Sequence, residues 1–322
     1  MAEPYRFRWA LLGSVVTFAL LGAVAFFVFL VSIAFRAGGE PQRDWDETVV
    51  VEGGPRKIAM ISVEGEITST LDPFAAGATD TEAISQIDQA LDDDDVAGII
   101  VHLDTPGGGV VASDAINRRV QEADKEKPVV ALMDETAASG GYYIAAGARE
   151  IVANPATLTG SIGVIMIVPE VSEAAGKLGI EPIVIKSGPF KDIASPFRDM
   201  TPEDRAILQG VINEAYEQFV SVVAEGRGMD PARVREIADG RIYTGRQAKD
   251  LQLVDHLGDQ QVALDRVREL GDAPRARLVR YGRTGLLSAL LGISAKAAEG
   301  PAIVRDALGF DTSPGLKYLW KP

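Results

Sequence analysis

Residues 98–143 read GIIVHLDTPGGGVVASDAINRRVQEADKEKPVVALMDETAASGGYY, and this stretch decides the fold. Two short apolar, β-branched runs, GIIVHLD from Gly98 and PVVALM from Pro128, flank a helix-length segment for which Ser113 is the expected N-cap. Strand, helix, strand in that order is a βαβ unit, the building block of a parallel sheet. The alternation extends in both directions, with KIAMISVEGEI from Lys57 upstream and EIVANP from Glu150, GVIMIV from Gly163 and PIVIK from Pro182 downstream. Thr201 followed by Pro202 opens a long helix whose Ile207, Leu208, Val211, Ile212, Ala215, Phe219 and Val222 share one face. Asp230 with Pro231, and Thr244 with Gln247 three residues on, repeat the start signal.

Of 322 residues, 47% are hydrophobic and 24% charged, which is enough apolar surface for a packed core. The net charge of -14 repels phosphate backbones, so nucleic acid is not an expected partner. With no Cys, thiol chemistry and thiolate zinc are excluded, and with only His102 and His256 a poly-histidine metal site is not expected. Neither a metal nor an organic cofactor is expected. The run Asp92 to Asp95 lacks the alternating spacing, central Gly and closing Glu of a calcium loop and reads as a solvated turn.

From Trp9 to Phe35 there is no charged residue, long enough for a helix to cross the hydrocarbon core. Arg6 and Arg8 precede this run and Glu40, Asp44, Asp46 and Glu47 follow it, which favours a cytoplasmic N-terminus and an extracytoplasmic remainder. The expected organisation is a cytoplasmic N-terminus over 1–8, a transmembrane anchor over 9–35, a linker over 36–56, a catalytic domain over 57–271 and a C-terminal extension over 272–322. That extension contains LLSALLGI and LKYLW, read as amphipathic packing or a subunit contact.

Two glycine-rich turns could carry chemistry. Gly107, Gly108 and Gly109 follow the strand that ends at Asp104 and remove every Cβ from the turn, so the backbone can approach a ligand. A dinucleotide loop would need glycine where Ala112 stands, and no Walker-type Gly-Lys-Ser/Thr exists. An oxyanion cradle is the better functional reading. The second turn is Ala138-Ser139-Gly140-Gly141, whose small neighbours leave the Ser139 hydroxyl uncovered at the head of a helix. Neither His has a clear orienting Asp, so a Ser-His-Asp arrangement has little support. A desolvated lysine is the alternative base, since burial disfavours the ammonium form. On the residues alone, Lys186 and Lys191 are equal candidates.

In order, LDTPGGGV, AASGGYYIA, TLTGSIGVI, SGPFKDIASP, GRGM and DGRIYTGRQAKDLQLVDHLG resemble the signal peptide peptidase A family of membrane-anchored bacterial serine proteases, over about residues 57 to 270. The resemblance implies Ser139 as the acylated nucleophile, Lys191 as general base, and Ser161 as a second serine that orients the lysine. It places Gly107 or Gly108 with Gly140 at the oxyanion hole. It implies a crotonase-like or Clp-protease-like α/β spiral of βαβ units behind an N-terminal transmembrane helix, and ring-like homo-oligomers whose active sites can lie at subunit contacts. Expected substrates are apolar peptides such as remnant signal peptides, with the bilayer contacted through residues 9–35. Two rival classes are an acyl-CoA enzyme on the related fold and a catalytically silent membrane scaffold.

Overall fold

The computed structural model describes residues 45–69, 77–282 and 317–320. The expected anchor at 9–35 lies outside them, and among the described residues no helix is long and apolar enough to cross a membrane. In chain order the elements are β1 (Asp46–Val51), β2 (Gly54–Glu64), α1 (Asp80–Asp92), β3 (Val96–Thr105), β4 (Gly107–Gly109), α2 (Val110–Glu126), β5 (Val129–Ala138), α3 (Gly140–Ala145), β6 (Glu150–Ala153) and β7 (Leu158–Gly160). There follow α4 (Ser172–Lys177), α5 (Pro202–Arg227), α6 (Pro231–Ile237), β8 (Ile242–Thr244), α7 (Gly245–Asp250), β9 (His256–Leu257), α8 (Gln260–Leu270), β10 (Ala276–Gly282) and β11 (Lys317–Leu319).

The fold is mixed α/β on a sheet ordered β1-β10-β2-β3-β5-β6-β9, in which every neighbouring pair except β1 with β10 is parallel. β7 branches parallel from the end of β5 and pairs antiparallel with β8. Because both faces of the central strands are covered, they read as continuous apolar runs rather than strict alternation. The period of two still sorts them by face. Ile58, Met60, Ile100, Val130, Leu132 and Val152 pack on Ala263, Leu264 and Val267 of α8. Ile61, Val63, Val101, Leu103 and Ala131 lie in the larger core with Ile87 of α1, Ile116 of α2 and Phe219 of α5.

The capping devices at α5 and α7 form as expected. Thr201 with Asp204 and Thr244 with Gln247 are reciprocal capping boxes, and Asp230 caps α6. Three expectations fail. Helix α2 starts at Val110 after Gly109, so Ser113 is a buried first-turn residue and not the cap. The runs from Gly163 and Pro182 form no strand beyond one bridge between Ile165 and Lys317. Among the described residues 182–186 pair with no strand, and Ile183 and Ile185 are 90% and 96% exposed. Third, the apolar face of α5 is covered only in its second half. Ala215 and Phe219 are buried whereas Ile207 and Val211 are exposed.

Strands also form in the segments expected as linker and extension: β1 and β10 pair with each other, and β10 pairs with β2 in the main sheet. Asp93 meets Lys57 at 2.5 Å, and Glu47 meets the same ammonium at 2.7 Å. Burial depresses the charged form of Lys57, and the hydrogen bonds to Asp93 and Glu47 outweigh it, leaving this lysine above its ordinary value. The acidic run thus supplies a structural ion pair.

Candidate active site

β5 delivers Ala138 to the sheet's end, and the chain turns at Ser139 with φ 53 and ψ -111 before entering α3. A positive φ is costly for a residue with a Cβ and persists only where the surroundings impose it. Here the Ser139 amide donates to the Gly160 carbonyl at 2.8 Å, and the Ser139 carbonyl accepts from the Tyr143 amide at 2.9 Å. Below the turn, the Tyr142 hydroxyl donates to the Leu253 carbonyl at 3.0 Å and that of Tyr143 to Asp114 Oδ1 at 2.8 Å. The Ser139 hydroxyl itself is buried and without a hydrogen-bond partner.

The glycine loop closes over this turn. A Cβ on Gly140 would come within 2.5 Å of Ser113 Oγ and 3.2 Å of the Gly108 nitrogen, and one on Gly107 would lie 2.7 Å from the Gly140 nitrogen. Only residues without side chains permit that approach. Gly107 also has φ 100. Among the loop amides, Gly107 donates to Thr105 Oγ1 at 3.0 Å and Gly109 to the Ile67 carbonyl at 2.9 Å. The Gly108 amide is the one left facing the opposite side, toward β11.

Ser161 lies beside the Ser139 turn because Ala138 of β5 is in register with Gly160 of β7. It too has a positive φ, 48, and its amide donates to the Arg241 carbonyl at 2.8 Å. With Val164, Ile165, Ile212 and Tyr216 it lines a cavity of about 450 Å³. Five of the six expected site residues, Ser139, Gly107, Gly108, Gly140 and Ser161, thus gather at one end of the sheet.

Lys191 is not hydrogen-bonded to Ser139. It is exposed, on a turn closed by its amide and the Gly188 carbonyl at 3.2 Å. The rival lysine is committed: Lys186 Nζ meets Asp192 Oδ1 at 2.8 Å and the Pro189 carbonyl at 3.0 Å. Arg198 meets the same carboxylate at 3.1 Å and Asp204 at 2.5 Å. Hydrogen bonds from Arg198 and Lys186 hold Asp192 down at about 2. The segment leading into this turn exposes Leu178, Ile183, Val184, Ile185 and Phe190 to solvent.

The histidines stand elsewhere. His102 faces Asp134 at 3.2 Å, and His256 faces Glu150 at 3.2 Å. The hydrogen bond from Arg266 holds Glu150 below the ordinary carboxylate range against its partial burial. Two features escaped sequence reasoning. Ser113 was read as a helix cap, yet its buried, unpartnered hydroxyl abuts Gly140. Residues 317–320, whose apolar Tyr-Leu-Trp run was the only available signal, pair with the glycine loop.

Residues 121–273 match peptidase family S49. Over 289 residues, 85% of this chain and 84% of the relative, the sequence is 34% identical to an Enterococcus faecium protein provisionally named signal peptide peptidase SppA. Over 199 residues it is 42% identical to a provisionally named protease of Methanocaldococcus jannaschii, covering 62% of this chain and 64% of that one. Protease 4 of Salmonella typhi is 36% identical over 225 residues, which is 70% of this chain but 36% of the larger relative.

Proposed function

Since the chain belongs to peptidase family S49 and is a serine peptidase, we propose that Ser139 is its nucleophile and Lys191 its general base, acting on apolar peptides at a membrane surface. The observation that carries the reading is the Ser139 hydroxyl: buried, unpartnered, on a turn held at positive φ, and packed against a glycine loop. A hydroxyl in that state is ready to attack a carbonyl whose oxygen the Gly108 and Gly140 amides receive. The base removes the hydroxyl proton during attack and returns it to the amine leaving group. The acyl-enzyme is then hydrolysed by water that the same base deprotonates. Ser161, one residue beyond the Gly160 carbonyl that holds Ser139, is assigned the orientation of the base.

Lys191 needs a dry surrounding to act as a base. Its exposed position among unpaired apolar side chains supports a homo-oligomer in which this arm of one copy covers the Ser139 turn of another. The uncharged run 9–35 supports an anchor that confines the site near lipid, with the peptidase domain extracytoplasmic, and hence apolar substrates such as remnant signal peptides.

The test uses the purified chain in detergent with an apolar peptide substrate. Ser139→Ala and Lys191→Ala should each lose activity by at least about 10³-fold. Mixing the two inactive variants should restore part of it, because a mixed oligomer holds one intact serine facing one intact lysine. Full activity in either single variant would end the assignment of that residue, and two dead variants that never complement would place both residues in one copy.

A further inference from the structure

Helix α2 grows directly out of the glycine loop, since Val110 follows Gly109 and no side chain caps the first turn. One face of α2 lies along α3. The Asn117 side-chain amide donates to the Tyr143 carbonyl at 2.7 Å, and Asp114 accepts the Tyr143 hydroxyl at 2.8 Å. Glycines let the two backbones come close: a Cβ on Gly147 would fall 2.8 Å from Asn117 Nδ2, and one on Gly140 would fall 2.5 Å from Ser113 Oγ. Ser113 and Asn117 share this face because they are one helical turn apart.

The two contacts differ in kind. Both side chains are buried, yet Asn117 is hydrogen-bonded and the Ser113 hydroxyl has no partner among the described residues. A helical serine ordinarily turns its hydroxyl back to a carbonyl three or four residues earlier, whereas this one faces Gly140. A buried hydroxyl left unpaired is a net cost to folding, and alanine is the better helix former. The stability of the fold does not require serine here.

What the oxygen touches is the junction of two backbone segments. The same Cβ position on Gly140 that falls 2.5 Å from Ser113 Oγ is 3.2 Å from the Gly108 nitrogen and 3.2 Å from the Gly107 Cα. Ser113 is thus wedged against the first residue of α3, while its own helix is continuous with the loop that carries the Gly108 amide. Removing the oxygen opens a gap of one atom, and packed backbone relaxes part of the way into such gaps. An oxyanion is held by donors at about 2.7–3.1 Å, so even a partial relaxation weakens the hold.

We infer that Ser113 is a positioning residue whose hydroxyl oxygen sets the spacing between the Gly108 and Gly140 amides. The inference rests on Ser139 being the nucleophile and on those amides being its oxyanion donors. Because the spacing matters only once negative charge develops on the carbonyl oxygen, its loss acts on the transition state and spares substrate binding.

The experiment compares the full-length chain in detergent with its Ser113→Ala variant, using an apolar peptide substrate and the matching peptide aldehyde. Ser139 Oγ adds to the aldehyde carbon and the hydroxyl proton passes to the former carbonyl oxygen, so the adduct places that oxygen where the transition state does. Ser113→Ala should lower kcat by about 10- to 10²-fold and weaken aldehyde inhibition by a similar factor, with KM within about twofold and the melting temperature not lowered. If turnover falls only because fewer molecules titrate as active, with aldehyde affinity kept and the melting temperature reduced, Ser113 serves packing alone and the inference is overturned. Wild-type kcat and aldehyde affinity in the variant overturn it while leaving the peptidase reading intact. No aldehyde inhibition of the unmodified chain, and no labelling of Ser139 by a serine-directed probe, overturn both.

Discussion

The Gly160 carbonyl accepts the Ser139 amide at 2.8 Å, so the strained turn that presents one serine is tied by its backbone to the strained turn that presents the other, Ser161. Each turn has a positive φ at a residue with a Cβ, and each is held by a bond from a neighbouring segment. Strain of this kind costs on the order of 1–3 kcal/mol per residue and is retained where function requires the geometry.

With Ser161 in the proposed role of orienting the base without binding substrate, Ser161→Ala should lower kcat by about 10²-fold with KM within about twofold. Ser161→Thr should recover part of the loss. Steady-state kinetics on the three proteins decides it, and an alanine variant with wild-type kcat would remove Ser161 from the mechanism.

Gly107→Ala places a methyl group against the Gly140 nitrogen and forces an alanine to φ 100. Displacing the loop from its donor position should reduce kcat/KM by about 10²–10³-fold, the usual cost of losing an oxyanion donor. Far-UV circular dichroism should confirm that the sheet persists. Undiminished turnover would separate this loop from catalysis.

The turn bearing Lys191 is held by Asp192, whose carboxyl lies at about 2 because Arg198 and Lys186 bond to it. A depressed carboxyl contributes order that is whole above its ordinary value and is lost as pH falls through the depressed one. Pepsin cleavage at Phe190 or Phe197 should be slow at pH 4 and accelerate toward pH 2. Asp192→Asn should be cut rapidly at both, and equal rates for the two proteins at pH 4 would show that the ion pairs do not order the turn.

Phe219 is fully buried against Tyr143 and Tyr318. Phe219→Ala should lose about 3–5 kcal/mol of stability by cavity formation. Tyr143→Phe removes the bond to Asp114 and should cost less, about 0.5–1.5 kcal/mol. Urea unfolding ranks the two, and the reverse order would mean that the hydroxyl network outweighs the ring packing.

The core strands were legible because 57–67, 98–104, 128–133 and 150–155 are apolar on both faces, and burial on both faces leaves one pairing register that hides every side chain. The caps at Thr201, Asp230 and Thr244 were legible for a different reason, since they act within three residues and need no tertiary partner. Ser139 and the glycine loop could be nominated by residue type, and Ser161 only by the family resemblance. The runs from Gly163 and Pro182 misled because β-propensity signals a surface that suits a strand without saying whether an edge exists to receive it.

Sequence by itself determined which segments become strands and helices and which small residues could line a turn, since these follow from side-chain periodicity and local hydrogen bonding. Tertiary structure alone decided that the Gly108 amide faces outward, that Lys186 is taken by Asp192, and that Tyr318 lies across the loop from more than two hundred residues away in sequence. Those outcomes depend on which backbone groups are already paired when distant segments meet, and pairing between distant segments leaves no periodic trace in either one.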